Sequence, residues 1–362
     1  MDAVKILKRA WQILWSYRAL WVFGVILALT AGGGFGRGGG GSGGGGGDGS
    51  RGPNNFNGPP GERFSEGMRG LRDWLDRGLP PLNISQEDLN ALLWVGIALV
   101  VMLVILAVVM AIARYVAETA LIRMVDEYEG SGAKVSIRQG FRYGWSRTSW
   151  RLFLINLLVN LPVFLFLLIL LLVGVGIYFL VSQGNQVLTI TGIVGGIGLV
   201  FLSIFLVVVV SVVLTLLRNF FWRACVLEGL GVRASLRRGF EVVRQNWKSV
   251  GLMWLIMLGL GIGWAIASIL AFIMLIPVML ATALGGIIVG GLPGLLVVGI
   301  TSLFLGQPLP WLVGAVVGLP LFLLVAFSPV IFIQGLAMTF SSTVWTLTYR
   351  ELNTLQSINP EA

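Results

Sequence analysis

Two asparagines one helical turn apart, Asn156 and Asn160, and a glutamine, Gln334, are amide side chains carried within the apolar runs of this 362-residue chain. Amides at i and i+4 share a helix face. In lipid such groups either bond across helices or line a polar path. Little else could react. There is no histidine, so Ser-His-Asp, Cys-His and HExxH chemistry is excluded, and Cys225 stands alone, without a disulfide or metal partner. "GGGD" at 45–48 matches the GxGD of intramembrane proteases and "GRGG" at 36–39 an RGG box, but both lie in a tract with 17 glycines between 31 and 61, where composition alone produces them. The spans carry no convergent carboxylates. No catalytic residue, metal site or cofactor is therefore expected, and the chain is not expected to be an enzyme.

The other chemistry is basic, and it repeats. "SIRQGF" at 136–141 returns as "SLRRGF" at 235–240, and "GAKVSIRQGF" from Gly132 aligns with "GVRASLRRGF" from Gly231. A fainter copy opens the chain, with Leu7-Lys8-Arg9-Ala10-Trp11 matching Leu236-Arg237-Arg238-Gly239-Phe240. Each copy reads as an amphipathic helix just before an apolar span. In the last, Leu236, Phe240, Val243 and Trp247 follow helical spacing; in the first, Leu7, Trp11 and Leu14 do. The predicted anionic-lipid contacts are Arg237, Arg238, Arg244 and Lys248, with Arg138 and Arg142 in the middle copy and Lys5, Lys8 and Arg9 in the first. Such a helix lies in the headgroup region with its cations on lipid phosphates, each worth ~1 kcal/mol near the surface. Gly140 and Gly239 are expected to let these elbows pack closely against a neighbour.

The elements that position these residues belong to a membrane. Hydrophobic residues make up 56% and charged residues 11%, mean hydropathy is +0.90, and no charge occurs in the 101 residues from Ser249 to Tyr349. A span needs ~20 apolar residues. Spans are expected at 20–32, 91–113, within 152–181, within 187–217, at 249–283 and within 311–345. The first follows a long amphipathic leader without a clear cleavage site, so it reads as a retained anchor and not a signal peptide. The stretch 284–310 is apolar but broken by Gly and Pro, and reads as re-entrant or interfacial. GxxxG pairs at Gly192–Gly196, Gly259–Gly263 and Gly314–Gly318 suggest close helix crossings.

The predicted fold class is all-α, a polytopic bundle of about six spans in three hairpin repeats with cytoplasmic elbow helices. The organisation reads as elbow and first span at 1–32, a Gly-rich disordered linker at 33–61, an amphipathic surface helix at 62–79 (Phe64, Met68, Leu71 and Leu75 on one face), a helix capped at Ser85 carrying the second span and an extension over 86–130, elbow-hairpin repeats at 132–230 and 231–352, and a tail at 353–362. Segments 114–151 and 218–248 hold seven basic residues each against four and two acidic ones, while the Gly-rich loop holds six against seven. This bias puts both termini and the basic loops in the cytoplasm. The net charge of +9 follows that distribution and does not indicate a nucleic-acid partner.

With "WTLTYREL" at 345–352 and the paired "S-[IL]-R-x-G-F" elbows, the chain resembles uncharacterised bacterial six-span proteins akin to the membrane domain of some glycerophosphoryl diester phosphodiesterases. The likeness covers spans and elbows and omits residues 33–90. It implies a bacterial plasma-membrane protein. The phosphodiesterase chemistry resides in a separate soluble domain of those fusions, so no catalytic residue carries over. The expected function is a non-enzymatic scaffold, assembly or lipid-organising factor, with membrane lipids, anionic phospholipids among them, and a membrane protein as candidate partners. The rival reading is a transporter of a neutral or lipidic solute. Ion coupling would need charges inside the spans, and the third to sixth offer none at their centres.

Overall fold

The computed structural model describes residues 2–30, 86–182, 186–303, 306 and 309–358. The predicted Gly-rich linker, the helix at 62–79, the Ser85 cap and the end of the tail lie outside the described residues. Every regular element among them is helical: α1 (Ala3–Ser16), α2 (Ala19–Thr30), α3 (Gln86–Ser131), α4 (Ile137–Gly144), α5 (Arg147–Ser182), α6 (Gln186–Leu227), α7 (Val232–Gln245), α8 (Trp247–Thr301), α9 (Leu309–Ala326) and α10 (Ser328–Ile358). Six of these, α3, α5, α6, α8, α9 and α10, are long and apolar enough to cross a membrane, and α1 with α2, bent by 100°, would make a seventh as a broken span. The chain is a multi-pass membrane protein by this measure.

Burial is inverted relative to a water-soluble protein. On α3 the apolar stretch from Val100 to Val109 is exposed, while the more polar stretch from Tyr115 to Val125 is buried apart from Arg123. The length of α3 accounts for this. Its 46 residues extend ~69 Å, against a hydrocarbon core of ~30 Å. Apolar side chains inside the bilayer are covered by lipid tails. Those beyond it meet water and must bury against protein.

The chain divides into two compact units, Met1–Ser42 with Ile105–Val289 and Leu321–Ala362, and Gly43–Val104 with Gly290–Pro320. The first is built around α10, in which residues 342 to 349 are all buried. A helix buried on every side is expected to be apolar, yet this stretch reads STVWTLTY. Its threonines hide their own donors: Thr343, Thr346 and Thr348 each donate to the carbonyl four residues back, at 2.8 Å. Helix α2 crosses α10 with glycine against glycine. A Cβ on Gly24 would collide with Thr339 Oγ1 and the Gly335 carbonyl, and one on Gly335 would stand 2.8 Å from the Val25 nitrogen. In the second unit α8 and α9 meet similarly. A Cβ on Gly318 would lie 2.7 Å from the Gly290 oxygen, and one on Gly314 2.7 Å from the Gly294 oxygen.

Of the three GxxxG pairs, Gly314–Gly318 thus makes a close crossing. Gly259 and Gly263 have nothing within 4 Å of a built Cβ, so that pair mediates no packing within the described residues. The stretch 284–301 continues α8 as helix, and the run expected as one span within 311–345 is broken at Phe327. Pro329, without an N–H, cannot extend the ladder from α9, and it stands in the first turn of α10, where no such donor is needed. Before α4 and α7 the chain reverses at glycines with left-handed φ, +71° at Gly132 and +66° at Gly229, which end α3 and α6 as glycines after a helix commonly do.

Candidate functional site

Three side chains from three helices meet in the interior of the first unit. The guanidinium of Arg223, 1% exposed, donates from Nη1 to the Asn219 carbonyl at 2.7 Å and from Nη2 to the Ser342 carbonyl at 3.0 Å. Its Nη2 stands 4.0 Å from Glu118 Oε1, and Ser342 Oγ donates to the same carboxylate oxygen at 3.0 Å. Helices α3, α6 and α10 are thereby joined through one buried charge pair. Spacing alone does not join them, because Glu118 and Arg223 are 105 residues apart; the usable signal was a single acid inside "VAETALI" and a single base inside "FFWRACV".

Around this pair lies a rim of partly exposed contacts. Arg350 bonds Asp126, Arg9 Nε lies 2.7 Å from Glu129, and Tyr349 donates to Glu228. Arg238 Nη2 donates to Asn353 Oδ1 at 2.7 Å, with its Nε 3.5 Å from Glu228. Tyr17, at the bend between α1 and α2, donates to the Val135 carbonyl at 2.6 Å. Burial pushes its hydroxyl up to about 12, so it remains a donor across the physiological range.

The predicted lipid contacts divide into two groups. Arg9 and Arg238 are taken up by Glu129 and Glu228. Lys5, Lys8, Arg138, Arg142, Arg237, Arg244 and Lys248 are exposed, with Lys248 Nζ 5.8 Å from the centre of the Trp247 ring. The faces of the short helices also differ from the expected stripes. Phe240 and Trp11 point outward, each 53% exposed. The buried residues are Ser235, Gly239 and Val242 on α7, Gly140 and Gly144 on α4, and Ala3, Ile6, Ala10, Ile13 and Leu14 on α1. Small residues win the protein side because the approach is close. A Cβ on Gly239 would stand 2.6 Å from Phe221 Cδ1, and one on Gly140 2.7 Å from Phe23 Cζ. The twin hexapeptides also start their helices differently. Ser136 caps α4 in a capping box with Gln139, while Ser235 lies inside α7, which begins three residues earlier, and donates to the Gly231 carbonyl at 2.9 Å.

Of the amides, Asn156 accepts from Arg218 Nη1 at 3.2 Å, and that guanidinium carbon sits 5.2 Å from the Trp222 ring centre. Asn160 is exposed among lipid-facing leucines, and Gln334 is buried in α10. Helix α5 thus carries Asn160 outward, while α10 holds Gln334 inside. Among the described residues no group of three or more His, Cys, Asp or Glu side chains could hold a metal ion.

No curated protein and no solved structure matches the chain. The family that does match is one of unknown function, over residues 4–361, and it brings no link to the glycerophosphoryl diester phosphodiesterases. The match extends over both units and every described helix but for Ala3 of α1, and the chain belongs to the DUF7544 family.

Proposed function

We propose that the protein is a non-enzymatic membrane scaffold that gathers anionic phospholipid against the side of the bilayer on which its charged residues lie. One observation carries the reading. Turning ~100° per residue, α1, α4 and α7 pass through the same four sectors in the same rotational order. The first faces protein and holds Ala10, Gly140 and Gly239. The next is exposed and aromatic, with Trp11 and Trp15 on α1, Phe141 on α4 and Phe240 on α7. Then come exposed cations, Lys8, Arg138 and Arg237, and last a polar sector with Arg9, Gln139 and Arg238. An aromatic sector between protein and cations is the arrangement of a helix half-sunk in the interface. The threefold recurrence supports three elbow-hairpin repeats, and the Lys and Arg bias supports a cytoplasmic location for the elbows and both termini.

The test is native mass spectrometry of the full chain with Arg237, Arg244 and Lys248 all replaced by Gln. At ~1 kcal/mol per charge, ~3 kcal/mol of attraction to anionic headgroups is removed. Retained anionic lipid should fall and zwitterionic lipid should not. Unchanged anionic-lipid retention would reduce the short helices to packing elements and topology signals.

A further inference from the structure

The position of Asn160 has no explanation among the described residues. It takes no hydrogen bond from any described residue and is exposed, with Leu157, Leu161 and Phe164 beside it 54%, 51% and 65% exposed. An amide turned into hydrocarbon without a partner is costly. One helical turn away, ~6 Å along α5, Asn156 accepts from Arg218. Arg218 is the first charged residue met on α6 on leaving its apolar run, which carries no charge from Gln186 to Leu217.

Helix dimensions place these groups in depth. From Asn160 to the exposed ring of Tyr178 is 18 residues of α5, ~27 Å, close to the ~30 Å hydrocarbon thickness. Asn160 then stands at one hydrocarbon boundary and Tyr178 at the other. Arg218, a turn further out, lies in the interfacial layer, which is ~5–8 Å deep on each side. A phospholipid spans the same two levels, with its phosphodiester outside and its glycerol esters at the hydrocarbon boundary.

We infer that the α5–α6 face holds one phospholipid, its phosphodiester on Arg218 and a glycerol ester carbonyl accepting from the Asn160 amide. Asn156 positions the guanidinium, and Leu161 and Phe164 lie along the acyl chain. The site reads the phosphodiester and the glycerol backbone, not the headgroup. It deepens the lipid-organising reading and stands on residues that the short helices do not share.

Native mass spectrometry of the full chain, with collision energy raised until loosely held lipid is gone, should leave one phospholipid on the wild type. Asn160→Leu should weaken that retention about threefold, the loss of one hydrogen bond in lipid. Arg218→Gln should weaken it about tenfold or more, the loss of a charge-assisted bond. Because the Asn160 side chain bonds no described residue, its variant tests the site even where Arg218→Gln destabilises the fold. Phosphatidylethanolamine and phosphatidylglycerol should both bind, diacylglycerol should not be retained, and soluble glycerol phosphate should not displace the bound lipid. The Arg237, Arg244 and Lys248 variant should keep it. Wild-type retention by both single variants, or equal retention of diacylglycerol, would overturn the site, and neither result bears on the short helices.

Discussion

Removing the Arg223 guanidinium should unfold more of this protein than any surface change. Arg223→Met keeps the stem and leaves Glu118 buried with Ser342 Oγ as its remaining donor. At 4.0 Å a unit charge pair gains about 4 kcal/mol at an effective dielectric constant of ~20. Desolvation of both ions offsets much of that gain in the intact protein, which is why a buried pair is weak evidence of net stability. Once one ion is removed, the other keeps its desolvation cost and loses its compensation, and such variants lose about 3–5 kcal/mol. The carbonyls of Asn219 and Ser342 lose a donor as well, which places the expected loss toward the upper end. Glu118→Gln combined with Arg223→Met removes the orphaned charge. The double variant should recover about 2 kcal/mol relative to Arg223→Met, so the two changes should be non-additive, as for residues in one ion pair. The assay is unfolding by denaturant titration in detergent, followed by helicity, on wild type, both single variants and the double. A loss below about 1 kcal/mol for Arg223→Met, or additive effects in the cycle, would refute the argument that this pair joins α3, α6 and α10.

Three further outcomes follow from the packing and the charge pattern. Gly24→Ala should cost about 1–3 kcal/mol by overpacking the α2–α10 crossing, while Gly259→Ala, with open space around its Cβ, should be neutral or stabilising by up to ~1 kcal/mol; thermal unfolding in detergent compares them. By the same assay Asn156→Leu should cost about 1 kcal/mol, because it strips Arg218 of an acceptor, and Asn160→Leu should change stability by less than about 0.5 kcal/mol. For topology, single cysteines from Ser50→Cys and Ser357→Cys in a Cys225→Ser background should differ, with only the first labelled by an impermeant thiol reagent on whole cells; labelling of the second would give the chain an odd number of crossings.

The sequence and the structure agree where one physical rule decides the outcome. Charge-free apolar runs of span length could only be helices in lipid, and they are helices. Gly140 and Gly239, read as points of close approach, sit against Phe23 and Phe221. The faces of α1 and α7 were not legible from periodicity. Trp11 shares a stripe with Leu7 and Leu14, and the spacing cannot tell a stripe that packs on protein from one that enters lipid. The small residues beside it take the protein side because backbones approach there. Arg238 reads like its neighbour Arg237 in the sequence, yet only Arg238 reaches Glu228 and Asn353; one residue turns a side chain ~100°. The burial of α10 was hidden by its threonines, which score as polar while bonding their own helix. The pairing of Glu118 with Arg223 depends on the packing of α3 against α6, which no local pattern encodes.

The central claim is that the aromatic sectors of the short helices enter the bilayer while the adjoining polar sectors face water. It is tested most directly by nitroxide labels on neighbouring residues of α7, from Phe240→Cys and Glu241→Cys in a Cys225→Ser background, in vesicles containing anionic lipid. About 100° of rotation separates the two positions. The label at 240 should be reached by dissolved oxygen and shielded from a water-soluble nickel complex, and the label at 241 should show the reverse. Equal access of the nickel complex to both would place α7 in water and contradict the account.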